Sequence, residues 1–137
     1  MKSPESKFNG PLDLSKNNGL TDLSALYISE ILSSKNKQSH IKKLNISGAN
    51  MEEKAGIFIG DALLANPNYP IEYLKFKEIN LEETGLHRIL EAANANHHIK
   101  RLNVGLVSDK GLNIMSELLA HNSSLHRLEF TESNAKL

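Results

Sequence analysis

Ile41-Lys-Lys-Leu44-Asn-Ile46 decides the fold, because the chain returns to the same pattern three more times. The later copies are Ile71-Glu-Tyr-Leu74-Lys-Phe76, Ile99-Lys-Arg-Leu102-Asn-Val104 and Leu125-His-Arg-Leu128-Glu-Phe130. The central leucines follow one another at spacings of 30, 28 and 26 residues. A recurring unit of this length predicts a repeat architecture, in which each unit buries its apolar face only against its neighbours.

Each copy has the pattern of a short strand, and a stretch with the pattern of a helix separates it from the next copy. An earlier strand copy begins at Leu12-Asp-Leu14-Ser-Lys-Asn17. We predict a parallel sheet with helical crossovers, because the helical patterns leave room for each strand to return in the same direction. The predicted strands centre on residues 12–14, 44–46, 73–76, 101–104 and 127–130, and the predicted helices cover 22–34, 52–65, 83–95 and 109–121.

An asparagine closes three of the helical patterns at equivalent positions, Asn66, Asn96 and Asn122. Asparagine tolerates the left-handed conformation that often ends a helix. We therefore expect these three residues to act as helix stops.

The strand patterns, together with the ending Leu118-Leu119-Ala-His-Asn122-Ser-Ser-Leu125, resemble the leucine-rich repeat of the ribonuclease-inhibitor type over about residues 11–130. Tropomodulin-like and bacterial-effector-like arrays are similar. The resemblance implies an α/β fold, a short leucine-rich repeat solenoid or horseshoe arc with the parallel sheet on the concave side and the helices on the convex side. We expect one repeat domain over residues 10–137, after a flexible tail at residues 1–9.

The composition narrows the classes of function. The chain has 137 residues with 16 Lys+Arg and 16 Asp+Glu, so no net charge draws it to nucleic acid or to a membrane. It has no cysteine, which excludes disulfides and thiolate metal sites. No apolar run approaches the roughly 18 residues of a membrane span, so we expect no membrane insertion. The absence of cysteine suits a reducing compartment and the N-terminus has no apolar signal region, so we expect a cytoplasmic protein. If the source is a bacterium living in host cells, the resemblance to bacterial-effector-like arrays implies a translocated effector that acts on a host protein.

The strand residues between the apolar positions are predicted to line the concave face. One column across the sheet holds Lys43, Tyr73, Arg101 and Arg127, and the helices carry most of the acids. A basic face with one aromatic favours an acidic protein partner with Tyr73 as an anchor, because Tyr and Arg are enriched in binding hot spots. A solvated sheet face whose lysines prevent aggregation is the competing interpretation. Nucleic acid is disfavoured, because stacking aromatics are nearly absent. The predicted partner-binding residues are Lys43, Tyr73, Lys75, Lys77, Arg101 and Arg127.

Catalytic and metal motifs are missing from the sequence. Phosphate loops, G-x-S-x-G and H-E-x-x-H do not occur. The paired acids Glu52-Glu53 and Glu82-Glu83 fall at predicted helix starts, where the helix dipole explains them. We expect a non-enzymatic scaffold with no metal and no cofactor, and surface roles for the six histidines, His40, His87, His97, His98, His121 and His126.

The last strand copy lacks a following helix, so Leu128 and Phe130 are predicted to lie at an open sheet edge. Three explanations remain open: residues 131–137 fold back as a cap, the chain is a fragment of a longer array, or the edge pairs with another copy. The alternative function is therefore a structural unit that self-associates into a homo-oligomer through its C-terminal edge.

Overall fold

A computed structural model describes residues 9–17, 19–34 and 40–133. Within these residues five strands alternate with four helices, and the bounds lie within a few residues of those predicted. Of the expected tail at residues 1–9, residues 1–8 lie outside the described residues. Asn9 begins the first strand instead. The expected cap at residues 131–137 falls partly outside them, at residues 134–137. The elements are β1 (Asn9–Asp13), α1 (Asp22–Ser33), β2 (His40–Asn45), α2 (Glu53–Ala65), β3 (Tyr73–Lys75), α3 (Glu82–Ala95), β4 (Arg101–Val107), α4 (Asp109–Leu118) and β5 (Arg127–Glu132).

The strands form one sheet in the order β1-β2-β3-β4-β5, and every neighbouring pair is parallel. The register aligns Leu44, Leu74, Leu102 and Leu128 side by side. A helix connects each strand to the next, as parallel pairing requires, and each helix contacts its successor. The α/β class and the parallel sheet predicted from the sequence are confirmed.

The core lies between the sheet and the helix layer. Leu44, Leu74 and Leu102 are completely buried and share one apolar cluster with Ile59 of α2 and Ile89 of α3. Burying such a side chain stabilises the fold by about 1.5–3 kcal/mol. The apolar strand positions therefore fix which face of the sheet meets the helices, and the residues between them are left to the other face.

Two glycines let α2 approach α3 closely. A Cβ atom at Gly56 would lie 2.7 Å from the carbonyl oxygen of Gly85, and one at Gly85 would lie 2.7 Å from that of Glu53. Either contact is too short for a carbon atom, so the helices would have to separate. Glycine at position 56, although unfavourable inside a helix, is thus required by the packing.

The closing asparagines link neighbouring units instead of adopting the expected left-handed conformation. Asn66 and Asn96 directly follow the last residues of α2 and α3, as expected of helix stops, but their φ angles of −134° and −105° are not left-handed. The expectation is wrong for Asn122, because α4 already ends at Leu118. The Nδ2 atom of Asn66 donates to the Leu32 carbonyl at 3.1 Å, and that of Asn96 donates to the Tyr69 carbonyl at 2.8 Å. Because helix-to-strand loops carry backbone groups that no ladder satisfies, these amides hold successive loops together.

Candidate functional site

The face of the sheet opposite the helices carries the candidate site. Strand side chains alternate between faces, so the neighbours of the buried leucines point away from the helix layer. We define the open face by the charged and aromatic residues of β2–β5 that lie there. These are Lys43, Tyr73, Lys75, Arg101, Arg127 and Glu129.

Tyr73 lies between two cations. Lys43 pairs with it from β2 and Arg101 from β4, as the sequence alignment predicts. The Lys43 Nζ atom is 4.9 Å and the Arg101 Cζ atom 4.3 Å from the centroid of the ring. Each such contact contributes about 0.5–2 kcal/mol. Tyr73 is only 7% exposed as a result, so it supports the two cations and presents little of its ring to solvent.

The carboxylate of Glu129 on β5 accepts hydrogen bonds from several residues of the open face. Its Oε1 atom accepts from Arg101 Nε at 2.8 Å and from the Tyr73 hydroxyl at 3.2 Å. Its Oε2 atom accepts from Arg101 Nη2 at 3.2 Å and lies 3.7 Å from Arg127 Nη2. Hydrogen-bond donors from β3 and β4 and a nearby cation on β5 therefore surround one carboxylate.

The proton equilibria of the site follow from these contacts. The hydrogen bond from Arg101 lowers the pKa of Glu129, and the same bond raises the pKa of Arg101. Burial raises the pKa of Tyr73, and the charge of Glu129 raises it further. The site thus holds an ionised carboxylate, a neutral phenol and a charged guanidinium at neutral pH.

The remaining cations are more exposed. The Arg127 side chain is 63% exposed and reaches Glu129 only at 3.7 Å. Lys75 makes no ion pair with any residue that the structure describes. Lys77 lies in the turn after β3, where its backbone N–H donates to the Ser47 hydroxyl at 3.0 Å.

The open face keeps a positive balance despite Glu129. The charges there are four cations against two carboxylates. The cations are Lys43, Lys75, Arg101 and Arg127, and the carboxylates are Glu129 and Asp13 of the neighbouring strand β1. Asp13 is bonded to the Ser15 hydroxyl at 2.6 Å, and this bond lowers the pKa of Asp13 more than the charges of Lys43 and Lys75 do.

Reasoning from the sequence missed the role of Glu129. The register places Glu129 beside Asn103, one step along the sheet from Arg101. A diagonal neighbour at that position is within reach of a long side chain. The alignment of the strand copies places Glu129 on the same face as Arg101, but no sequence pattern specifies a diagonal contact between their side chains.

The C-terminal edge of the sheet is incompletely covered. Ile99, Leu102 and Val104 are completely buried, whereas their counterparts Leu125 and Leu128 are half-buried and Phe130 is 40% exposed. No strand pairs with the outer side of β5 in the described part of the chain. A second exposed apolar surface lies on α1, formed by Leu23, Leu26, Tyr27 and Ile31.

Other chemistry is sparse in the ranges that the structure covers. No three His, Cys, Asp or Glu side chains there are grouped so that they could hold a metal ion. No helix there has the length and apolar character needed to span a bilayer.

No model of a known protein family matches the chain, and no curated protein matches it either.

Proposed function

We propose that this protein is a non-enzymatic interaction module that binds an acidic protein surface through the open face. We further propose that its strand–helix units form a leucine-rich repeat solenoid of the ribonuclease-inhibitor type, with the open face on the concave side. The in-register leucines and the sequential contacts between helices support this arrangement.

The observation that carries the proposal is the ordered stack of Lys43, Tyr73 and Arg101. Lysines that only keep a sheet face solvated need no fixed geometry. Here the ring holds both cations, and Glu129 fixes Arg101 further. Side chains that are ordered before binding lose less entropy on binding, which favours recognition.

The same stack argues against nucleic acid as the partner. Proteins that bind single strands offer aromatic faces on which bases stack. The Tyr73 ring already contacts two cations, and it is largely buried. The face retains positive charge without a stacking platform, which suits carboxylates better than bases.

The test is a matched pair of charge reversals. Lys43→Glu/Lys75→Glu changes the open face, and Lys54→Glu/Lys110→Glu makes the same change in charge at exposed positions of α2 and α4. Arg101 is left intact because it is paired with Glu129. Affinity for a hexaglutamate peptide is measured by calorimetry, after circular dichroism has shown that both variants fold.

The proposal predicts binding by the wild type that weakens as salt is raised from about 50 to about 500 mM, because exposed charges are screened. Binding is lost in Lys43→Glu/Lys75→Glu and kept in Lys54→Glu/Lys110→Glu. Equal losses in both variants would mean that only the overall charge matters, and would reject the open face as the site.

A second candidate function is self-association through the C-terminal edge, and the exposure of Phe130 favours it. Leu125 and Leu128 are only partly buried and Phe130 is exposed, whereas their counterparts in the preceding unit are fully buried. A second copy that covers them would complete the burial seen elsewhere in the sheet.

Light scattering at rising protein concentration tests this candidate. Phe130→Ser is compared with Tyr27→Ser, which removes a similarly exposed aromatic from α1. Association that is lost only in Phe130→Ser supports the edge. A monomeric wild type at high concentration contradicts it, and an equal effect of the two substitutions indicates a general apolar attraction instead.

A further inference from the structure

The donors around Glu129 form a site whose chemistry suits a carboxylate ligand. Arg101 presents its Nε and Nη2 atoms, the edge of a guanidinium that binds a carboxylate side-on with two parallel hydrogen bonds. The Tyr73 hydroxyl adds a third donor and Arg127 a nearby positive charge. These groups come from β3, β4 and β5, so the sheet itself assembles the receptor.

We propose that this cluster is a carboxylate-binding site for the acidic partner, and that Glu129 occupies it in the free protein and leaves when the partner binds. This inference rests on the proposed function, because it names the group that the open face recognises. Glu129 then acts as an internal competitor whose removal strengthens binding.

The site keeps its shape when the Glu129 carboxylate leaves. Arg101 stays stacked 4.3 Å from the centroid of the Tyr73 ring, and that ring is buried and also contacts Lys43. The Glu129 side chain is 27% exposed and lies on the edge strand β5, so it reaches solvent by a change of rotamer. Displacement therefore requires no movement of the backbone.

An internal carboxylate also sets the specificity of the site. A group on the same chain has a high effective concentration, so a ligand with one carboxylate competes poorly. A ligand with several carboxylates gains further contacts at Lys43 and Lys75 on the neighbouring strands. The site is expected to select clustered acids over isolated ones.

The test compares Glu129→Ala with Glu132→Ala, a matched loss of one carboxylate from the same strand. Calorimetry with hexaglutamate at fixed low salt gives the affinity. We expect Glu129→Ala to bind about tenfold tighter than wild type, which is about 1.4 kcal/mol. We expect Glu132→Ala to stay within about twofold, because the ion pairs that the structure describes for Arg101 and Arg127 are made with Glu129 and not with Glu132.

Glu129→Gln provides a second variant that keeps the shape of the side chain and removes its charge, in case Glu129→Ala is poorly folded. It is also expected to bind more tightly than wild type. Unchanged or weaker binding by both variants overturns the inference and makes Glu129 a positioning residue for Arg101.

A spectroscopic measurement separates failure of this inference from failure of the proposed function. In ¹⁵N-labelled Glu129→Ala, hexaglutamate is expected to shift the Arg101 Nε–H signal. If wild type binds no acidic peptide but this signal still shifts in the variant, the carboxylate site stands and the proposed function of the wild type fails. If wild type binds and the Arg101 signal does not move in the variant, the proposed function stands and the inference fails.

Discussion

Glu129 changes the distribution of charge on the basic open face. Viewed as a column, Lys43, Tyr73, Arg101 and Arg127 form a stripe of positive charge interrupted by a ring. The Glu129 carboxylate neutralises the centre of that stripe and ties three of its members together. The charge available to a partner is therefore concentrated on Lys43, Lys75 and the exposed Arg127.

The ion pair of Glu129 makes stability depend on pH. The pKa of Glu129 is lower in the folded chain than in the unfolded chain, chiefly because of Arg101. Its contribution to stability is therefore present above the unfolded pKa and is lost as pH falls through the folded pKa. In urea unfolding between about pH 6 and pH 3, the excess stability of wild type over Glu129→Gln should shrink as pH falls through this range. A constant difference across the range would show that the pair does not favour the ionised form.

Tyr73 is predicted to matter for stability through its ring more than through its hydroxyl. Tyr73→Phe keeps both cation contacts and loses the hydrogen bond to Glu129, so it should cost about 1 kcal/mol in the free energy of unfolding. Tyr73→Ala removes a largely buried ring and should cost about 3 kcal/mol. Chemical denaturation measures both, and equal costs would mean that the ring is not the support of Lys43 and Arg101.

At the scale of elements, the spacing between helices fixes how the units pack. Gly56 and Gly85 bring α2 and α3 together closely enough that a methyl group on either one meets the backbone of the other helix. That closeness sets the geometry of the layer behind β2, β3 and β4, the strands that carry the Lys43–Tyr73–Arg101 stack.

Gly56→Ala is expected to destabilise the protein although alanine favours helices. The gain in helix propensity is about 1 kcal/mol, and forcing a methyl group into close packing costs about 1–3 kcal/mol. We expect a net loss of up to about 2 kcal/mol in the free energy of unfolding, measured in urea. Gly10→Ala in β1 is the control, because no atom lies within 4 Å of the added carbon. A more stable Gly56→Ala variant would contradict the close approach.

The elements themselves could be predicted from the sequence, because periodicity and leucine spacing report local structure directly. The parallel register also followed, since equivalent leucines must share a face. The inter-unit bonds of Asn66 and Asn96 did not follow, because a closing asparagine has a sufficient local explanation as a helix stop. The contacts of Glu129 did not follow either, because they run diagonally between strands whose side-chain conformations no pattern specifies.

At the scale of the whole molecule, a chain with no net charge carries separated charges. The sequence balances 16 basic against 16 acidic residues. Acids crowd the first turns of α2 and α3, where Glu53, Glu82 and Glu83 are favoured by the helix dipoles. The open face keeps the opposite sign, and such an arrangement orients an acidic partner toward the sheet.

The most direct test of the central claim is a nuclear magnetic resonance titration of ¹⁵N-labelled protein with hexaglutamate. Shifts are expected to concentrate on Lys43, Lys75, Arg101 and Arg127 of the open face, while the exposed positions Lys54 and Lys110 on the helices stay unchanged. Shifts that are confined to the helices, or no shifts at all at low salt, would contradict it.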